Sequence, residues 1–176
     1  AALLTPDQER RAERRLSAAH AQLLAGAVDR ADALLVEANK DLRDPQSRAQ
    51  ATRVAGTIQF ARGHVAKAAS DLVDAATRLR PLDPGATRDA LLSALEAAVY
   101  AGWASSTPLL HEIARTASDL PHTGDPADET TDLLLQGFTG RVTDGYAPAV
   151  PALHRAVRAF LAGELEARGD HELIGA

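Results

Sequence analysis

The chain has 176 residues, 45% of them hydrophobic and 24% charged, with a formal net charge of −5; that length suits one domain, residues 1–176, able to bury a core unaided. It has no cysteine, which excludes a disulfide framework and thiolate metal sites and is compatible with a reducing cytoplasm. Its acidic balance argues against direct nucleic-acid binding, and it contains no run of 18 apolar residues that would cross a membrane.

Alanine supplies 38 residues and aromatics only 3%. Alanine carries no side-chain entropy cost in a helix, and strand-favouring residues are scarce, so the composition predicts an all-α fold. The first helix is predicted over Asp7–Ala25, with Leu16, Ala19, Leu23 and Gly26 on one stripe. Asp29–Leu42 is the second, facing inward with Ala31, Leu34, Leu35, Ala38 and Leu42, and Asp44-Pro45 stops it. Gln46–Arg62 is the third, carrying Ala51, Val54, Ala55 and Ile58, and Ala66–Leu79 is the fourth, carrying Ala69, Leu72, Val73 and Ala76.

Pro81-Leu82-Asp83-Pro84-Gly85 is a break. Thr87–Ala101 is the fifth helix, with Leu91, Leu95, Ala98 and Val99 on its apolar face, and Gly102–Ser106 forms the next turn. The sixth runs over Leu109–Leu120, a polar linker follows over Pro121–Ala127, and the seventh spans Thr130–Val142. Val150–Arg168 is the eighth, and Gly169–Ala176 is a frayed end.

Two segments share a pattern: Gly26, Ala31 and Ala38 recur as Gly63, Ala68 and Ala75. A glycine turn between helices whose small residues permit close packing is the mark of a helical repeat. The turn glycines Gly26, Gly63, Gly102 and Gly145 are spaced 37, 39 and 43 residues apart. These spacings exceed the roughly 34 residues of a tetratricopeptide repeat. The expected fold is a right-handed, tetratricopeptide-like helical solenoid of about four antiparallel helix hairpins. The third and fourth units are degenerate, and the stripe of the sixth helix fits better when shifted by one residue.

Little in the chain suggests chemistry. A Gly-x-x-x-x-Gly-Lys-Ser/Thr loop is absent, which argues against nucleotide hydrolysis. His111-Glu112 and His171-Glu172 lack the second histidine of a zinc-protease helix, and the six histidines share no metal-ligand spacing. His111 and His154 each lie nine residues after a turn glycine, where the first two repeats have Leu35 and Leu72, but the stripe Leu110, Ile113, Ala114, Ala117 turns His111 off the core. No catalytic residue, cofactor or metal is expected. Arg10, Arg11, Arg14 and Arg15 form a basic cluster read as a solvated face paired with Glu9 and Glu13. Leu4-Thr5-Pro6 with Glu9-Arg10 resembles the opening of a LuxR-type DNA-binding domain, but the apolar core and glycine turn of that motif do not follow.

In such arrays the first helix of each hairpin lines the concave wall. The repeat register places there Glu13, Leu16, His20 and Leu23; Gln50, Arg53, Thr57 and Phe60; Asp89, Leu92, Glu96 and Tyr100; and Asp132, Leu135 and Thr139. Apolar anchors mixed with a few donors and acceptors suit a ligand groove. The candidate binding residues are His20, Arg53, Thr57, Phe60, Glu96, Tyr100 and Thr139. Leu16, Leu23 and Leu92 also read as helix-packing residues.

The runs Arg53–Gly63 and Ala86–Gly102 resemble the helical repeat region of the large ATP-binding LuxR-type transcriptional regulators of actinobacteria, relatives of the maltose-regulon activator. The resemblance implies a parent protein with a nucleotide-binding module before this segment and a helix-turn-helix after it. The segment would act as a sensor, binding a small-molecule or protein effector or another domain of its parent. The alternative is a free-standing adaptor that docks a peptide or protein, and an all-α enzyme domain is a distant third. A complete solenoid needs a capping helix with a polar outer face. The tail Glu166-Ala167-Arg168-Gly169-Asp170-His171 is short for that, so the chain is expected to continue beyond Ala176.

Overall fold

The computed structural model describes the backbone of residues 7–121 and 126–174. Every regular element among them is a helix. In order these are α1 (Gln8–Leu24), α2 (Val28–Asn39), α3 (Pro45–Ala61), α4 (Val65–Leu79), α5 (Pro84–Ala101), α6 (Trp103–Ser118), α7 (Pro126–Thr143) and α8 (Tyr146–Ile174). None is long and apolar enough to cross a membrane, among the described residues.

The four turn glycines all adopt positive φ: Gly26 at 77°, Gly63 at 80°, Gly102 at 96° and Gly145 at 92°. Only glycine takes this conformation without a Cβ penalty, which is why the residue recurs where each second helix begins. The first two turns are built alike. Gly26 N–H donates to Leu23 O and Ala27 N–H to Gln22 O; Gly63 N–H donates to Phe60 O and His64 N–H to Gln59 O, all at 2.9 Å. These paired bonds satisfy carbonyls left over at the ends of α1 and α3.

Helix starts follow a second repeated signal. Asp7, Asp44 and Asp83 are the N-caps of α1, α3 and α5, and their carboxylates accept the backbone N–H of Glu9, Ser47 and Ala86. A proline follows Asp44 and Asp83 at the first helical position, where a missing N–H costs nothing. Hence α5 starts at Pro84 and not at the expected Thr87. The sixth and eighth helices, expected from Leu109 and Val150, also start earlier. The helices α6 and α8 begin at Trp103 and Tyr146 and carry Pro108 and Pro151 inside. Only Gly102 remains outside a helix in the expected Gly102–Ser106 turn, and the expected frayed end is helical as far as Ile174. Likewise α7 starts at Pro126, inside the expected linker, and α2 ends at Asn39, short of Leu42.

The chain forms two compact units, Ala1–Leu110 and His111–Ala176. In the first, α2 packs on α1, α3 on α2, α4 on α3 and α5 on α4, while α3 also touches both α1 and α5. The core contains Leu16, Leu35, Val54, Ile58, Leu72, Leu79 and Leu91, all buried. Burying each such side chain contributes about 1.5–3 kcal/mol. Ala31, Ala38, Ala68 and Ala75 are each 0% exposed, as positions of close helix approach require. Val99, expected on the apolar face of α5, is instead exposed.

Small residues on first helices meet leucines on second helices in both units. A Cβ placed on Gly56 of α3 would stand 2.8 Å from Leu72 Cγ of α4, and one on Gly137 of α7 would stand 2.6 Å from Leu153 Cδ2 of α8. Leu72 lies nine residues after its turn glycine and Leu153 eight. With this one-residue difference His154 is exposed, and Leu110 is buried while its neighbour His111 is exposed.

Candidate functional site

On α3 the buried stripe is Ala51, Val54 and Ile58. Beside it, at helical spacing, Gln50, Arg53, Thr57 and Phe60 are each partly exposed. Arg53 Nε donates to Gln50 Oε1 at 2.9 Å, and Thr57 Oγ1 donates to the carbonyl oxygen of Arg53 at 3.1 Å. The second bond folds the threonine hydroxyl onto its own helix.

The neighbours of α3 extend this face on both sides. His20 of α1 is partly buried, and burial, with the nearby positive charge of Arg53 as the smaller cause, lowers its pKa from 6.5. Tyr100 of α5 meets Phe60 edge to face, with ring centroids 5.5 Å apart and planes at 76°. That geometry suits two aromatic quadrupoles. Tyr100 nevertheless stays 70% exposed, so most of its ring is open to solvent. Glu96 lies one turn earlier on α5 and is exposed. Five of the residues singled out above are therefore assembled in order across three helices: His20, Arg53, Thr57, Phe60 and Tyr100. Glu96 borders them.

Thr139 is in the second unit. It lines a cleft of about 340 Å³ together with Ser118, Leu120, Asp132, Leu135 and Gln136. Leu16 is buried and packs in the core, while Leu23 and Leu92 are partly exposed.

The charges around the first-helix face are uneven. Arg15 meets Asp41 at 3.8 Å, and Arg62 bridges Asp29 at 3.0 Å and Asp32 at 2.8 Å. Arg53, among the described residues, has Gln50 as its partner and no carboxylate in ion-pair range. The arginines of α1 also differ from expectation. Arg10 pairs with Asp7 and Arg15 with Asp41, whereas Glu9 turns to the start of α3 and accepts the backbone N–H groups of Arg43 and Asp44. The unfilled N–H groups at a helix start attract a carboxylate more strongly than a solvated guanidinium does.

Among the described residues no three His, Asp or Glu side chains converge as metal ligands. Sequence reasoning missed two features. One is the pair of contacts made by Glu9 and Gln46, for which the spaced Asp-Pro pairs at 44, 83 and 125 were the available signal. The other is Arg88 of α5, 1% exposed, which donates from Nη1 to Pro84 O at 3.1 Å. No protein-family model, curated protein or solved structure matches this chain.

Proposed function

We propose that the chain is a non-catalytic sensor or interaction segment of a LuxR-type transcriptional regulator, a tetratricopeptide-like stack that works in the cytoplasm. It binds an effector, or another module of its parent protein, through the first-helix face of α1, α3 and α5. The observation that carries this reading is the Phe60–Tyr100 pair. It joins side chains of neighbouring hairpins on the surface that holds Arg53, and leaves the Tyr100 ring open. Aromatic and arginine side chains are the usual anchors of binding hot spots because they give large contact area and forked donors at low entropy cost. The glycine turns and the contact of α3 with both α1 and α5 support the repeat architecture.

A thermal-shift screen of sugars, nucleotides, amino acids and random peptides tests the binding role. Ligands are expected whose shift is lost in Tyr100→Ala and kept in Val36→Ser, a change at an exposed residue of α2. Shifts insensitive to Tyr100→Ala, or catalytic turnover of a compound, would overturn the reading. The full open reading frame tests the regulator role. A P-loop upstream and a helix-turn-helix downstream are expected, and a frame lacking both leaves the free-standing adaptor.

A further inference from the structure

Beyond the first-helix face, we propose that the cleft of the second unit binds a linear polyamine. An ammonium group is held at each of Asp132 and Asp144, and the alkyl chain lies between them.

The cleft presents chiefly acceptors. Its lining, among the described residues, has the carboxylates of Asp132 and Asp144 and the hydroxyls of Ser118 and Thr143, but no lysine, arginine or histidine. Both hydroxyl hydrogens are engaged: Ser118 Oγ donates to Ala114 O at 2.9 Å, and Thr143 Oγ1 to Thr139 O at 3.1 Å. A hydroxyl whose hydrogen is engaged can only accept. The lining also takes in the end of α6 at Ser118 and the end of α7 at Thr143. Helix C-termini carry partial negative charge and favour cations. Gln136 adds an amide, whose oxygen accepts from Arg155 Nη2 at 3.3 Å. An anion in this cleft meets carboxylates and lone pairs, whereas an ammonium group finds charge-assisted acceptors.

The distance between the carboxylates names the form of the cation. Asp132 and Asp144 are twelve residues apart, from the first half of α7 to the residue just past its end, which is a rise of about 18 Å. That is close to the length of extended spermine and well beyond putrescine. A cleft of about 340 Å³ lined along that length is a narrow trough, with room for a chain and little for a ring system. Leu120 and the buried Leu135 give the methylenes between the charges apolar contact. A compact metal ion is served less well. It needs several oxygens around one point, and among the described residues no three carboxylate or imidazole groups converge.

The test is isothermal titration calorimetry of the full chain with spermine, spermidine and putrescine. In about 0.15 M NaCl, attraction to the net charge of the chain is screened beyond about 8 Å. One spermine per chain is expected, bound about 10-fold more tightly than putrescine because only the longer chain engages both ends. Spermidine should fall between them. Asp132→Asn and Asp144→Asn should each weaken spermine about 5-fold, as loss of one partly exposed ion pair does. Each should also narrow the advantage of spermine over putrescine. Glu37→Gln removes an exposed charge from α2 and should bind spermine like the parent. Circular dichroism melts check that each variant folds, and the exposed Asp144 carries the test if Asp132→Asn destabilises the unit. Spermine and putrescine binding alike would overturn the proposal. So would no binding at millimolar spermine, by calorimetry or thermal shift, or parent-like binding in the variant with both Asp132→Asn and Asp144→Asn. Glu37→Gln weakening spermine as much as either cleft variant would reduce the effect to diffuse attraction and end the assignment.

Discussion

The carboxylate of Glu9 accepts the backbone N–H of Asp44 at 2.7 Å, tying the first turn of α1 to the start of α3, 35 residues away. The same oxygen also takes the N–H of Arg43 at 3.2 Å. Gln46 repeats the relationship one hairpin later, donating from Nε2 to Asp83 Oδ2 at 3.3 Å. Each contact runs from the residue two after one N-cap aspartate to the next N-cap aspartate. The corresponding residue of α5 is Gly85, which has no side chain to continue the series.

These two contacts differ in expected weight. Glu9 offers a charged acceptor to two backbone donors that are otherwise unfilled at a helix start, so Glu9→Ala should cost about 1–2 kcal/mol. Gln46→Ala removes one long, exposed bond and should stay within about 0.5 kcal/mol of the parent. Urea unfolding followed by circular dichroism measures both. Equal stabilities of Glu9→Ala and the parent would show that solvent serves those N–H groups as well as Glu9 does.

Packing gives a sharper test of the repeat register. Ala68 of α4 is fully buried at the position equivalent to Ala31 of α2. Ala68→Leu adds three carbons where there is no room, and it should destabilise the chain by about 1–3 kcal/mol. At Gly56 an added Cβ would meet Leu72 Cγ at 2.8 Å and its backbone nitrogen at 3.3 Å. Gly56→Ala gains about 1 kcal/mol of helix propensity, yet it should still melt below the parent, because the backbone of α4 has to retreat. If Ala68→Leu melts with the parent, the alignment of Ala31 with Ala68 is wrong.

These residues also show what the sequence made legible. The turn glycines could be read because positive φ admits few other residues, and the spacing of Gly26, Gly63, Gly102 and Gly145 survives in the folded chain. With the turns fixed, the helical period was enough to place Phe60 and Tyr100 on adjoining helices. Helix starts were placed too late at α5, α6, α7 and α8. Pro84 occupies a first helical position that needs no N–H, and Pro108 and Pro151 are tolerated inside α6 and α8. Val99 was misplaced, and Arg88 missed, for another reason. Whether a given stripe of α5 is covered depends on which helices lie against it, and residue type alone suggests the opposite burial for both. Thr139 followed the register onto α7, but it lies in the second unit, on a cleft of that unit's own residues.

Arg88 should be a stability residue even though its type suggests a surface. It is 1% exposed, and its Nη1 bonds the carbonyl of Pro84 one turn earlier. Arg88→Ala removes a long buried side chain together with its bond to Pro84, at an expected cost of about 2–4 kcal/mol. Arg88→Met keeps most of the length and loses the polar contacts, so it should fall between the two. Thermal melts give the order directly. Arg88→Ala within about 0.5 kcal/mol of the parent would place the guanidinium in solvent.

His20 should make stability depend on pH in a defined direction. Burial, and after it the charge of Arg53, lowers its pKa below 6.5 in the folded chain. The unfolded chain then binds the His20 proton more readily than the folded one. Well above pH 6.5 both states hold a neutral imidazole, and His20 has no effect on the balance. As pH falls through that value the unfolded state is protonated first, so stability declines until the folded pKa is also passed, where the loss levels off. His20→Gln removes this contribution. The parent should therefore lose more melting temperature than His20→Gln between neutral and mildly acidic buffer, and comparing the two cancels the other five histidines. Arg53→Gln should narrow the gap without closing it, because burial is the larger cause. Parallel decline of the parent and His20→Gln, or an imidazole proton resonance of His20 that titrates at or above 6.5, would show that neither burial nor Arg53 presses on the ring.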